Sequence, residues 1–102
     1  MPKLLKAKIH GKVQGVGFRF EALLKARELG LVGFVRNEHD KTLYVEAQGP
    51  RANVDQFLHW LEHHGPKEAL ITKVEHRETF DLEDYGSFKI LETGGERHPA
   101  LD

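Results

Sequence analysis

The stretch G-K-V-Q-G-V-G-F-R, Gly11 to Arg19, decides how this chain of 102 residues is organised. Before it, apolar residues at positions 5, 7 and 9 alternate with polar ones, and that period of two indicates a strand with one buried face. After it, residues 21–29 carry apolar side chains at helical spacing. We therefore predict that the glycine-containing stretch connects a strand to a helix.

The remainder of the chain continues the succession of strand and helix patterns. Its strongest helical signal is the set Val54, Phe57, Leu58 and Leu61, which are spaced i, i+3, i+4 and i+7. In chain order, the expected elements are a strand over residues 31–37, a turn over 38–41, a strand over 43–48, a helix between Pro50 and Gly65, a strand over 70–75 and a short strand around Phe88 and Ile90.

This order, β-α-β-β-α-β with one small extra strand, predicts an α+β fold. It is the order of the ferredoxin-like sandwich, in which two helices cover one face of an antiparallel sheet. We expect residues 1–91 to form one domain, because a chain of this length buries roughly two-thirds of its unfolded surface in a single core. Residues 92–102 are expected to form a flexible C-terminal tail that carries no chemistry.

Composition narrows the classes of function. Lys and Arg number 15, and Asp and Glu number 16, for a formal charge of −1, whereas a general nucleic-acid binder is usually basic. The absence of cysteine excludes disulfides and thiolate chemistry. No apolar run approaches the ~18 residues of a membrane span, and the charged start of the chain does not resemble a signal peptide. We expect a cytoplasmic monomer without nucleic-acid or membrane partners.

The glycine-containing stretch has the chemistry of an anion site. Glycine opens backbone conformations that are closed to other residues, so consecutive N–H groups can point at one spot and bind an anion. The start of the helix adds unpaired N–H groups, and the guanidinium of Arg19 can grip two phosphate oxygens. The spacing matches neither G-x-G-x-x-G nor the nucleotide P-loop. From these residues alone, an anion cradle and a flexible turn beside a surface arginine both stay open.

The same residues resemble the acylphosphatase family. The resemblance rests on G-K-V-Q-G-V-G-F-R at 11–19 and G-F-V-R-N at 33–37, separated by a helix of the expected length. Weaker similarities, V-E-A-Q-G at 45–49 and G-P-K-E-A at 65–69, follow in the family's order. The resemblance covers residues 5–91, nearly the whole chain, and the two motifs together are a specific signal.

The resemblance implies an enzyme that hydrolyses the carboxyl–phosphate bond of acyl phosphates to a carboxylate and inorganic phosphate, without a metal or other cofactor. It assigns the attacking water to the side-chain amide of Asn37. It assigns phosphate binding to Arg19 and to the backbone N–H groups of Gln14, Gly15, Val16, Gly17 and Phe18. A small open site with one anion cradle is expected to select weakly for the acyl half of the substrate. Taken alone, Asn37 beside a hairpin turn is also typical of a residue that only shapes the turn.

Three nearby residues bear on this assignment. The turn after Asn37 contains Asp40-Lys41 where many family members have Asp-Gly, and a positive φ at Lys41 would cost roughly 1–2 kcal/mol. Glu21 stands where an aromatic or apolar residue is expected, and its carboxylate would repel a nearby anion. Either departure can lower activity. Arg36 should point to the opposite face of its strand and is predicted to be a surface residue that does not bind phosphate.

Two other functions fit parts of the sequence. One is a non-catalytic module that binds phosphate or acyl phosphates. The other is an RNA-binding ferredoxin-like domain, because Phe18 and Phe20 flank Arg19 and such aromatic and arginine segments can bind single-stranded RNA. The predicted strands, however, lack the RNP1 pattern of RNA-binding sheets.

The second predicted helix carries a group of histidines. His59 and His63 are spaced i, i+4, and His64 follows, a spacing that suits two metal ligands. No HExxH motif, cysteine or third carboxylate ligand accompanies them, so we predict a solvated helix face and no metal site. Trp60, at the edge of the apolar stripe of this helix, is predicted to cover the core.

Overall fold

The computed structural model describes residues 1–94. These residues form five strands and two helices: β1 (Pro2–Lys12), α1 (Phe18–Glu28), β2 (Val32–Asn37), β3 (Leu43–Pro50), α2 (Arg51–His63), β4 (Leu70–Thr79) and β5 (Phe88–Ile90). Every predicted element is present in the predicted order. Residues 95–102, the greater part of the predicted tail, lie outside the described residues. Within the described part of the chain, neither helix has the length and hydropathy that a membrane crossing requires.

The strands form one sheet in the order β4-β1-β3-β2-β5. The first four strands pair antiparallel, which confirms the predicted ferredoxin-like arrangement. The short β5 pairs parallel to β2 instead, so the complete sheet is mixed. The parallel direction of β5 follows from the connection over residues 80–87, which joins the end of β4 to the start of β5. This connection spans up to about 27 Å when extended. It can therefore cross the roughly 19 Å between the two sheet edges and begin β5 beside the start of β2.

Both helices pack on one face of the sheet and bury the residues that the periodicity predicted. Val54, Phe57 and Leu61 of α2 are completely buried, and alternate residues of β1 lie in the same apolar cluster. Trp60 packs against this core with its ring stacked on Phe57, the two centroids 6.0 Å apart. The predicted role of Trp60 as a cover of the core is confirmed.

The first helix begins earlier than the sequence pattern indicated. Its first residue is Phe18 and not Glu21, because the Phe18 ring is buried in the core and lies edge-to-face on Trp60 at a centroid distance of 5.7 Å. The N–H of Glu21 already donates to the carbonyl oxygen of Gly17 at 3.1 Å. Arg19 therefore lies inside the first turn of α1, at the positive end of the helix dipole.

Candidate functional site

A loop with two left-handed glycines, residues 13–17, joins β1 to α1; we call it the glycine loop. Gly15 has a φ of 74° and Gly17 a φ of 77°, values that residues with a Cβ rarely adopt. A Cβ built on either glycine would meet no atom within 4 Å. Glycine is therefore required at these positions by the backbone angle and not by a lack of space for a side chain. Gly17 is the N-cap residue of α1, and no described side chain caps that helix end. The first N–H groups of α1 are therefore available to an anion.

A cavity of about 240 Å³ lies beside the glycine loop. Its described lining consists of Val13, Gly15, Gly17, Phe18, Arg19, Phe20, Asn37 and Ile90. This set includes five of the seven residues assigned to the site from the sequence, among them both predicted catalytic side chains. Gln14 and Val16 are not in the described lining, and Val16 packs against the core instead.

Arg19 supplies the positive charge of the cavity. It is partly buried in the first turn of α1, and the other described lining residues are uncharged. None of the salt bridges within residues 1–94 involves Arg19, so no described carboxylate competes with an anionic ligand for its guanidinium. Glu21, which was expected to oppose an anion, is exposed and lies outside the described lining.

Asn37 ends β2 on the face that the helices cover, the same face as the buried Val35. Its side-chain Oδ1 is buried, and no group within residues 1–94 donates a hydrogen bond to it. An unpaired buried carbonyl oxygen costs about 1–3 kcal/mol, so its presence at the wall of a cavity indicates an acceptor for a ligand or a water. The backbone carbonyl of Asn37 accepts a hydrogen bond from the N–H of Gly94 at 3.1 Å. This bond attaches the last described residue to the strand that carries the site.

The side chain of Gln14 joins the glycine loop to the hairpin turn after Asn37. Its Nε2 donates to the carbonyl oxygens of Glu38 at 2.9 Å and of Thr42 at 3.0 Å. These two residues close the turn, since the N–H of Glu38 donates to the carbonyl oxygen of Thr42 at 2.9 Å. The sequence indicated a role only for the backbone N–H of Gln14. The structure adds a side-chain link that fixes the loop relative to Asn37.

The turn between β2 and β3 has the backbone geometry that glycine would favour. Lys41 has a φ of 76° and is the one described non-glycine residue with a positive φ. Asp40 stabilises the turn, because its Oδ1 accepts hydrogen bonds from the N–H of Thr42 at 3.1 Å and from its hydroxyl at 2.5 Å. Its Oδ2 pairs with Nζ of Lys8 at 2.8 Å. The bond to Lys8 and those to Thr42 hold the pKa of Asp40 well below its ordinary value.

Replacing Lys41 by glycine is expected to stabilise the protein by about 1 kcal/mol, because glycine adopts a positive φ without the steric penalty. The measurement is a shift of the urea midpoint to higher concentration at an unchanged m-value. Lys41→Ala is the matched control, since it removes the same charge and leaves the strain in place. An equal gain in Lys41→Ala would assign the effect to the charge and contradict the backbone explanation.

Arg36 lies on the face of the sheet away from the helices, as predicted, and does not line the described part of the cavity. It is more buried than expected of a surface residue, with 22% of its side chain exposed. Its guanidinium lies 5.5 Å from the ring centroid of Phe34 and 5.3 Å from that of Tyr44. Its Nε donates to Oε2 of Glu38 at 2.7 Å, and the Glu38 side chain is 1% exposed. No local pattern in the sequence indicates that this turn carboxylate is buried.

The histidines of α2 lie close together and are not in the described lining of the cavity beside the glycine loop. The ring centroid of His59 is 4.6 Å from that of His63 and 5.4 Å from that of His64. In the chain up to residue 94, no group of three or more possible metal ligands has the arrangement of a metal site. A larger cavity of about 500 Å³ adjoins His59 and His64 between the helices, but its described lining contains none of the residues assigned to the site. The cavity beside the glycine loop is therefore the candidate site.

Comparisons of sequence and structure find acylphosphatases among the proteins similar to this chain. The family model Acylphosphatase matches residues 5–90. A curated relative named acylphosphatase, from Acaryochloris marina, is 44% identical over 94 residues, which cover 90% of this chain and 96% of the relative. The solved acylphosphatase from Bacillus subtilis has a TM-score of 0.84 at 28% identity and covers 87% of this chain and 98% of its own. The solved acylphosphatase from Coxiella burnetii has a TM-score of 0.82 at 33% identity, and the match covers 88% of this chain and 93% of the Coxiella chain.

Proposed function

This chain belongs to the acylphosphatase family and acts as an acylphosphatase, and we propose that it cleaves the carboxyl–phosphate bond of acyl phosphates in the cavity beside the glycine loop. The observation that carries the proposal is the meeting of Arg19, the glycine loop and Asn37 at this one cavity. The products are a carboxylate and inorganic phosphate. No described feature favours the alternatives, a non-catalytic phosphate-binding module or an RNA-binding domain.

The phosphate group lies between Arg19 and the backbone N–H groups of residues 14–18. The left-handed conformation of Gly15 and Gly17 supports this placement, because such glycines let neighbouring N–H groups converge on an anion. The uncapped start of α1 adds donors and the positive end of the helix dipole. The planar guanidinium of Arg19 bonds two phosphate oxygens. Donors that are fixed before the substrate binds stabilise the charge of the transition state with little reorganisation.

The attacking water is held by the side-chain amide of Asn37. The buried, unpaired Oδ1 supports this role, because it can accept a hydrogen bond from the water while the amide NH₂ donates. An acyl phosphate is a mixed anhydride, and its carboxylate leaves without strong general-acid help. Phosphoryl transfer is then mostly positioning and charge stabilisation. The proton of the water passes to an oxygen of the substrate phosphate, so no side chain acts as the base.

The reaction proceeds without a metal or other cofactor, because Arg19 and the N–H donors supply the positive charge that a metal would bring. The protein works as a cytoplasmic monomer and has no nucleic-acid or membrane partner. The formal charge of −1 supports the exclusion of a nucleic-acid partner, because nucleic-acid binding depends on an excess of basic residues.

Hydrolysis of benzoyl phosphate, followed as loss of the acyl phosphate, tests the proposed function. We expect turnover that EDTA leaves unchanged and that inorganic phosphate inhibits competitively. An alkyl phosphate ester is the control substrate and should be hydrolysed far more slowly, because its alkoxide is a poor leaving group. Phosphate binding without turnover would indicate the non-catalytic module. Salt-sensitive RNA binding that phosphate does not affect would indicate the RNA-binding domain.

The Gln14 link is expected to support turnover by fixing the distance between the glycine loop and Asn37. Gln14→Glu keeps the size of the side chain and places a carboxylate oxygen against two carbonyl oxygens. We expect kcat to fall about tenfold through misplacement of Asn37, and stability to fall by about 1–3 kcal/mol. The measurements are steady-state kinetics below the unfolding transition and urea unfolding.

Gln48→Glu is the matched control for this experiment. The Nε2 of Gln48 also donates to a backbone carbonyl, that of Glu83, at 2.9 Å, but it lies near the opposite end of β3 from Asn37. This variant should lose stability and keep its kcat. An equal loss of kcat in both variants would show that Gln14 contributes only to stability in general.

A further inference from the structure

We infer that Phe20 and Ile90 form an apolar rim that binds the acyl half of the substrate, so that the enzyme prefers acyl phosphates with an apolar or aromatic acyl group. The inference rests on the proposed function, because it takes the phosphate to lie between Arg19 and the glycine loop. It replaces the weak selection for the acyl half that the sequence led us to expect. The rim is defined here as the side chains of Phe20 and Ile90.

The rim residues are exposed, whereas other apolar residues of the same cavity are buried. Phe20 is 58% exposed and Ile90 is 39% exposed, but Val13 and Phe18 are each 1% exposed. Val13 and Phe18 therefore form the floor of the cavity, and the rim forms its mouth. A phosphate in contact with Arg19 lies inside the cavity, so the acyl group bonded to it extends toward the mouth.

Single exposed apolar side chains are common on protein surfaces and need no explanation. The rim differs because its two residues come from separate elements, α1 and β5, and line one cavity. The sheet order brings β5 next to β2, which places Ile90 in register with Val35, two residues before Asn37. The fold therefore places an apolar surface beside the two side chains that are proposed to act on the phosphate.

The charge of the cavity favours an uncharged acyl group. Among the described lining residues Arg19 alone is charged, and its guanidinium is already paired with the phosphate of the substrate. An acyl group with a second carboxylate would lose hydration against Phe20 and Ile90 and gain no cation. A phenyl or alkyl group would instead bury apolar surface against the rim, and a ring can pair with Phe20. The cavity, about 240 Å³, is smaller than the roughly 300–1,000 Å³ of drug-sized ligand sites, which sets an upper limit on the size of the acyl group.

The test compares kcat/KM for benzoyl, acetyl and succinyl phosphate, each divided by the rate of spontaneous hydrolysis. The wild-type enzyme should prefer benzoyl over acetyl phosphate by about tenfold and should use succinyl phosphate least. Phe20→Ala and Ile90→Ala should each lower the value for benzoyl phosphate about three- to tenfold and leave that for acetyl phosphate within about twofold. Phe80→Ala is the matched control, because Phe80 is 54% exposed and follows β4 at the far end of the sheet. It should change neither value.

Binding of two non-hydrolysable phosphonates gives a second measurement that needs no turnover. Phenylphosphonate should inhibit or bind about tenfold more tightly than methylphosphonate, and the ratio should fall in both rim variants. An unchanged benzoyl-to-acetyl ratio in Phe20→Ala and Ile90→Ala, or equal binding of the two phosphonates to the wild-type protein, would overturn the rim and leave the proposed function standing. Absence of turnover with all three substrates would overturn the proposed function, and the phosphonate ratio would still decide the rim.

Discussion

Replacing Arg19 by alanine is expected to lower kcat/KM for benzoyl phosphate by about 10³-fold, which corresponds to about 4 kcal/mol of transition-state stabilisation. Arg19 is the charged residue of the described cavity lining, so the variant leaves the phosphate charge to the N–H donors alone. Arg19→Lys keeps the charge but loses the planar fork, and it should recover part of the activity. The measurements are steady-state hydrolysis and the inhibition constant of inorganic phosphate, which should rise in both variants.

Arg51→Ala is the matched control for the loss of an arginine. Arg51 begins α2 at the opposite end of the molecule, and its guanidinium lies 5.7 Å from the ring centroid of Phe80. Its replacement should leave kcat/KM within about twofold of wild type, because changes at surface positions have small effects. Full activity of Arg19→Ala would remove this residue from the mechanism and leave phosphate binding to the glycine loop.

Replacing Asn37 by alanine is expected to lower kcat about 10²- to 10³-fold and to leave the inhibition constant of inorganic phosphate nearly unchanged. The reason is that, in the proposed mechanism, the amide holds the water and not the phosphate, while the backbone of residue 37 keeps its pairing with Leu43. Asn37→Asp is nearly isosteric, and its carboxylate should weaken phosphate binding as well as turnover. Steady-state kinetics with phosphate as a competitive inhibitor measures both quantities.

Asn53→Ala is the control for the loss of a partly buried amide contact. The Nδ2 of Asn53 donates to the carbonyl oxygen of Leu29 at 2.8 Å, at the end of α1. Its replacement should cost about 1 kcal/mol of stability and leave the kcat of the folded enzyme unchanged. A loss of phosphate affinity in Asn37→Ala as large as that in Arg19→Ala would identify Asn37 as a phosphate ligand and contradict the water-holding role.

Local patterns predicted most of the fold, because one-sided burial imposes a period on the sequence. The positions of Val54, Phe57 and Leu61 predicted α2, and all three are completely buried. The start of α1 was predicted three residues too late because Phe18 belongs to the core through Trp60, far along the chain. The direction of β5 was not predictable from a three-residue strand, since it depends on how the preceding connection crosses the sheet.

The candidate site was predictable where its residues are adjacent in the sequence. Gly15, Gly17 and Arg19 lie within five positions. Their residue types alone left an anion cradle and a flexible turn beside a surface arginine both open, and the family resemblance favoured the cradle. The link from Gln14 to the hairpin turn and the burial of Glu38 were missed. Both depend on side-chain contacts between elements that only the folded chain brings together, and neither residue type has a distinctive local pattern.

The run of β1 through the sheet and the bond from Gly94 to Asn37 have a practical consequence for immobilising this enzyme. Pro2 pairs with Pro50 at one end of the sheet, and the ten steps to Lys12 carry the chain about 33 Å toward the cavity. Gly94, in contrast, lies directly beside Asn37. A carrier or solid support joined ahead of Met1 would be held far from the cavity, whereas one joined just after Gly94 would lie close to Asn37.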